Sequence, residues 1–82
     1  STYRALGNYQ KAEDVFLQAM KLFPKNHALQ TFYAMTLFNL AEYEQATKRL
    51  LTLLAETSSD PDIQSYRQAL LFYADKLNET WA

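Results

Sequence analysis

From Tyr9 to Phe23, apolar side chains recur as Ala12, Val15, Phe16, Ala19, Leu22 and Phe23, steps of three and one that put them on one helical face. Asn8 stands where an N-cap belongs, with a side-chain oxygen able to accept from an otherwise unpaired backbone N–H. Pro24 cannot continue the helix, so the chain turns at Pro24-Lys25-Asn26. Asn26 caps a second helix carrying Leu29, Phe32, Tyr33, Leu37 and Leu40. The apolar phase shifts at Leu40-Ala41-Glu42, and Tyr43, Ala46, Leu50, Leu53 and Leu54 define a third helix. Thr57-Ser58-Ser59-Asp60 ends it. Asp60 then caps a fourth helix with Pro61 at its first position, where a missing N–H costs least. Ile63, Tyr66, Leu70, Tyr73, Leu77 and Trp81 carry that helix to the end of the chain. Connections this short force neighbouring helices antiparallel, and the fold class is all-α.

The pattern repeats. A shift of 34 residues lays Tyr9 on Tyr43, Ala12 on Ala46 and Leu17 on Leu51. The same shift brings Leu29-Gln30-Thr31-Phe32 onto Ile63-Gln64-Ser65-Tyr66 and Leu37-Phe38 onto Leu71-Phe72, with the caps Asn26 and Asp60 in register. One helix pair is therefore used more than once. The expected organisation is a single domain: a partial first repeat over 1–26, a complete repeat over 27–60 and a terminal helix over 61–82.

These residues resemble the tetratricopeptide repeat (TPR) family. Gly7-Asn8-Tyr9-Gln10-Lys11-Ala12, followed by Phe16, Ala19, Leu22 and Pro24, looks like the second helix of such a repeat with its closing proline. Tyr33, Ala34, Leu37, Tyr43, Ala46 and Leu50 keep the same alternation of large and small side chains. The chain is also similar to small bacterial proteins of this family with no assigned activity. The resemblance implies a right-handed stack of antiparallel helix pairs, four helices in all. It departs from the family at Gln30, where a large aromatic is favoured, at Leu53, where a small residue is favoured, at Ser58 in place of proline and at Ala41 in place of a turn glycine.

Composition narrows the function. The 82 residues are 49% hydrophobic and 15% aromatic with one Gly and two Pro, which argues against disorder and against a turn-rich β protein. Eight Lys and Arg against nine Asp and Glu leave a net charge of -1, so no electrostatic case exists for nucleic acid or a membrane surface. No apolar run approaches the ~18 residues of a membrane span. The absence of Cys suits a reducing, cytoplasmic setting. With no Cys and His27 as the only His, the common nucleophile-and-histidine arrangements cannot be assembled, and neither an enzyme nor a cofactor is expected. Glu13 with Asp14, Glu42 with Glu44, and Lys48 with Arg49 read as solvated charge. Asn78-Glu79-Thr80 fits a glycosylation acceptor, without a secretion signal to support it.

What remains is binding. Most of the aromatics in so small a chain belong to the core, and Tyr9, Phe16, Tyr33, Tyr43 and Tyr66 are expected there. In the family the first helix of each pair lines a concave groove. The resemblance assigns that role to Ala28, Thr31, Met35, Phe38 and Asn39, and in the last helix to Ser65, Ala69, Phe72 and Tyr73. Phe38 and Phe72, one repeat apart, are expected side by side with Met35 between them, a setting for an apolar side chain. The expected ligand is a protein or peptide segment, bound at Thr31, Met35, Phe38, Asn39, Ser65 and Phe72. The rival expectation is a self-associating module, a homodimer formed through the edge left by the incomplete first unit. Trp81 is expected to close the last helix over the core.

Overall fold

A computed structural model describes Tyr3 and residues 7–80 of the chain. Among the described residues it holds the helices α1 (Tyr9–Leu22), α2 (His27–Asn39), α3 (Tyr43–Thr57), α4 (Pro61–Ser65) and α5 (Arg67–Ala74), and no strand. The helices begin where the sequence places polar caps. Asn8 Oδ1 accepts from the Lys11 N–H at 3.3 Å, and Asn26 Oδ1 accepts from the Leu29 N–H at 3.2 Å. Asp60 Oδ1 accepts from the Asp62 and Ile63 N–H groups at 2.9 and 3.1 Å, ahead of Pro61 at the helix start. Each cap satisfies donors that the helix itself leaves unpaired.

Successive helices pack on one another, with α3 against α2 on one side and α5 on the other. The described chain spans 40 × 30 × 19 Å, so its thin dimension holds about two helix diameters. Such a slab has little interior. The central cluster is Ala12 and Phe16 of α1, Tyr33 and Leu37 of α2 and Ala46 of α3, with Met20 and Leu29 packed against it. Small side chains sit where helices approach most closely. Ala12 and Ala55 are fully buried and Ala34 and Ala46 nearly so. Leu53, the large residue at a position where the family favours a small one, is accommodated in the interior. Thr36 is fully buried, its hydroxyl donating to the Phe32 carbonyl at 3.3 Å.

The glutamine at the expected aromatic position has a job in both copies. Gln30 Nε2 donates to the Pro24 carbonyl at 3.1 Å, and Gln64 Nε2, one repeat later, donates to the Ser58 carbonyl. Both tie the first helix of a pair to the loop that precedes it. Ser58 thus substitutes for proline without losing the carbonyl that receives this bond.

Two expectations need correction. The helix predicted over 61–82 is two helices that end at Ala74. At Tyr66 the backbone leaves helical geometry (φ -106°, ψ 11°), and its N–H donates to the Ile63 carbonyl at 3.1 Å, three residues back. The Ser65 hydroxyl meanwhile donates to the Asp62 carbonyl at 2.9 Å, competing with the helical ladder. After Ala74 the Lys76 N–H closes a turn onto the Tyr73 carbonyl at 2.9 Å, so Leu77 lies past the helix. Trp81 lies outside the described residues, as do Ser1 and Leu6.

The second correction concerns the aromatics. Phe16 and Tyr33 are buried as expected and Tyr9 is half-buried, but Tyr43 and Tyr66 stand on the surface. Helical spacing aligned them with the apolar face, but in this thin slab no described element covers that face at their level.

Candidate functional site

Helix α2 contributes to the core through Leu29, Tyr33, Thr36 and Leu37, and what it leaves outward is Ala28, Thr31, Phe32, Met35 and Phe38. None of its 13 residues is Asp, Glu, Lys or Arg. A helix with apolar residues on every side is ordinarily covered, and this one is open on one face. Phe38 is 60% exposed, Phe32 49% and Met35 39%.

Met35 and Phe38 enter the wall of a cleft of about 300 Å³, completed by Ala34 and by Ala46, Thr47 and Leu50 of α3. The Phe38 ring is braced edge-to-face against Tyr43, with centroids 4.9 Å apart and planes at 63°. Such an edge-to-face pair contributes about 0.5–1.5 kcal/mol, which favours this orientation of the exposed ring. Leu54, also exposed, continues the α3 side of this surface after Leu50.

The other groove residues have different surroundings. The Thr31 hydroxyl donates to the His27 carbonyl at 2.8 Å, and the Ser65 hydroxyl is engaged by Asp62, so each has only acceptor capacity to offer. Asn39 Oδ1 is buried and meets no hydrogen-bond partner among the described residues. Phe72 belongs to a second aromatic cluster: its ring meets Tyr73 at 5.1 Å, near-perpendicular, and Lys76 Nζ lies 4.1 Å from its centroid. Met35 and Phe38 thus share a cleft, whose lining does not include Phe72.

The sequence expectation placed the groove on first helices alone, whereas the cleft at Met35 and Phe38 is also lined by Ala46, Thr47 and Leu50 of α3. Tyr43, Thr47, Leu50 and Leu54 follow at four, three and four residues; Tyr43, Leu50 and Leu54 are legible as the apolar face of their helix, whereas nothing in the spacing singles out Thr47.

Behind α2, Tyr33 anchors the core to charge. Its hydroxyl donates to Glu13 Oε2 at 3.1 Å, and the Arg49 guanidinium lies 4.9 Å from its ring centre. Burial, and then the bond to Glu13, push the Tyr33 phenol up to about 12. Among the described residues no three His, Asp or Glu side chains are grouped to hold a metal ion, and no helix is long and apolar enough to cross a membrane.

The tetratricopeptide repeat family profile matches residues 3–70. The chain belongs to the tetratricopeptide repeat family. No curated protein matches it. TPR domains generally mediate protein–protein contacts and typically serve as non-catalytic scaffolds. The 34-residue spacing of the turns, caps and Gln ties is the TPR period expressed in this chain.

Proposed function

We propose that this TPR domain is a non-catalytic protein-interaction module that receives an apolar side chain of a peptide or protein segment between Met35 and Phe38. The observation that carries the reading is the cleft of about 300 Å³ against an uncharged helix, with a braced, 60% exposed phenylalanine at its edge. Rigid aromatics beside an adaptable methionine are the usual anchors of such contacts. Because the helices are already packed, ordering on binding falls mainly on the ligand. Thr31, Asn39, Ser65 and Phe72 belong to the same proposed surface, and the setting consistent with the absence of Cys is cytoplasmic.

Phe38→Glu tests it. The substitution places a charge in the cleft while disturbing little of the core, since Phe38 is already largely exposed. Affinity capture from source-cell extract should retain a partner on the wild type and lose it on the variant, with far-UV circular dichroism unchanged. Equal retention by both would remove the cleft from the binding surface, and loss of helicity would make Phe38 a structural residue.

A second reading, self-association, is favoured by α1. Val15 and Leu22 lie seven residues apart on one face at 43% and 75% exposure, with Phe23 beside them at 59%. Two copies meeting there would bury this surface in a symmetric contact. Sedimentation equilibrium over a range of concentrations decides: a constant monomer mass excludes it.

A further inference from the structure

On the flank of α3 turned away from the Met35–Phe38 cleft lies a second recess, of about 220 Å³. It is lined by Gln30 of α2 and by Gln45, Lys48, Arg49 and Thr52, which follow one another along a single side of α3. All five side chains bring N–H or O–H donors, and none is a carboxylate.

Arg49 is the centre of this set. Its guanidinium carbon lies 4.9 Å from the centre of the Tyr33 ring, a cation–π contact that uses none of its N–H donors. Among the described residues no hydrogen bond or ion pair takes those donors. Glu13, one of the acids beside Tyr33, accepts from the phenol hydroxyl at 3.1 Å. Lys48 is different, because its ammonium is committed to Asp75 at 2.6 Å. Among the described residues Gln45 and Thr52 make no side-chain hydrogen bond, while Gln30 is tied through Nε2 to Pro24. A half-buried arginine whose N–H groups meet no acceptor among the described residues, beside Gln45 and Thr52, suits the planar pair of oxygens of a carboxylate or two oxygens of a phosphate.

We propose that this recess is an oxyanion site: Arg49 binds a carboxylate or phosphate group through its fork, with Gln45 and Thr52 donating alongside. The recess has several times the volume of one water, enough for such a group with part of the chain that bears it. It is separate from the apolar cleft and stands whether or not that cleft binds a partner.

The test is an NMR titration of the chain with sodium phosphate and, separately, sodium acetate, each against sodium chloride at matched ionic strength. Arginine Nε–Hε resonances report directly, with Arg4 and Arg67 as controls within the same molecule. The Arg49 resonance is expected to move saturably with at least one of the two anions, while those of Arg4 and Arg67 follow ionic strength alone. Saturation at lower phosphate than acetate assigns a phosphoryl ligand, and the reverse assigns a carboxylate. Equal movement of all three arginines, or equal movement with chloride, overturns the site. Arg49→Lys, followed through the Gln45 and Thr52 amides, should weaken binding about tenfold because a point charge replaces the fork. Gln45 is exposed, so Gln45→Ala is readable even where the Arg49 variant fails to fold, and should weaken binding about threefold. Unchanged binding in Gln45→Ala, or in a folded Arg49→Lys variant, overturns the assignment.

Discussion

The same turn occurs twice in this chain, 34 residues apart, built from largely different residues. At the first, Gly7 is left-handed (φ 80°), the Asn8 N–H donates to the Tyr3 carbonyl at 2.7 Å, and the Asn8 side chain caps α1. At the second, Ala41 is left-handed (φ 62°), the Glu42 N–H donates to the Leu37 carbonyl at 2.9 Å, and Glu42 makes no side-chain cap. Tyr3 and Leu37 are themselves one repeat apart, so the backbone bond recurs in both copies although neither the bonded residues nor the left-handed one are the same. At the second turn the Ala41 N–H also reaches the Phe38 carbonyl at 3.0 Å, completing the paired bonds of a Schellman ending. Repeat stacking therefore dictates the backbone path, and local sequence decides how comfortably it is followed. A left-handed alanine costs about 1–2 kcal/mol that a glycine avoids.

The largest effect comes from forbidding the path. Ala41→Pro fixes φ near -65° where 62° is required and removes the N–H bonded to Phe38. A loss of about 3 kcal/mol or more is expected in urea denaturation, and a loss under about 1 kcal/mol would mean that the turn is not the constraint described. The caps separate the two turns next. Asn8→Ala should cost about 1 kcal/mol because a cap is removed, while Glu42→Ala should change stability by less than about 0.5 kcal/mol because none exists. Equal losses would erase the difference between the copies.

Relieving the second turn sharpens the comparison from the other side. Ala41→Gly should stabilise by about 0.5–1 kcal/mol, the left-handed penalty less the added freedom of the unfolded glycine. Gly7→Ala should destabilise by a similar amount. A Cβ at Gly7 would meet nothing within 4 Å, so this cost is conformational and not steric crowding by neighbours. Thermal midpoints of the two variants should move in opposite directions.

The helix starts were legible because their signals are local: Asn8, Asn26 and Asp60 each reach a backbone donor two or three residues away. The end of the last helix was not, since Tyr73, Leu77 and Trp81 continue the apolar spacing past Ala74. The period did hold that information, because 34 residues beyond Ala41 is Asp75, the position where α5 is capped. Exposure of Tyr43 and Tyr66 was hidden for another reason: a helical phase names a face, and only the stack decides whether anything lies on it. Of the candidate groove, Met35 and Phe38 were found from the family pattern, whereas Thr47 and Leu50 sit on the other helix of the pair. Lys48-Arg49 read as ordinary surface charge because nothing near them in sequence announces Tyr33.

Asp75 supplies the third member of the turn series and the smallest effect. It keeps right-handed geometry (φ -86°, ψ -3°) and is pinned instead by Lys48 of α3, at 2.6 Å. The bond from Lys48, then the charges of Lys48 and Lys76, hold the Asp75 carboxyl below its ordinary value of 3.8. A depressed carboxylate favours the folded state above its unfolded pKa, and that contribution is lost as pH falls through the folded pKa. Lys48→Met should therefore lower the thermal midpoint slightly at neutral pH, and the gap to wild type should close well below pH 3.8. Added salt should narrow it too, as the pair is exposed and screened. A gap that survives acid would assign the role of Lys48 to packing of its aliphatic stem. The Gly7 and Ala41 turns rest on backbone conformation, so the shifts produced by Gly7→Ala and Ala41→Gly should persist across the same acid range. The three equivalent positions would then be held by two kinds of force, conformational in the first two and electrostatic in the last.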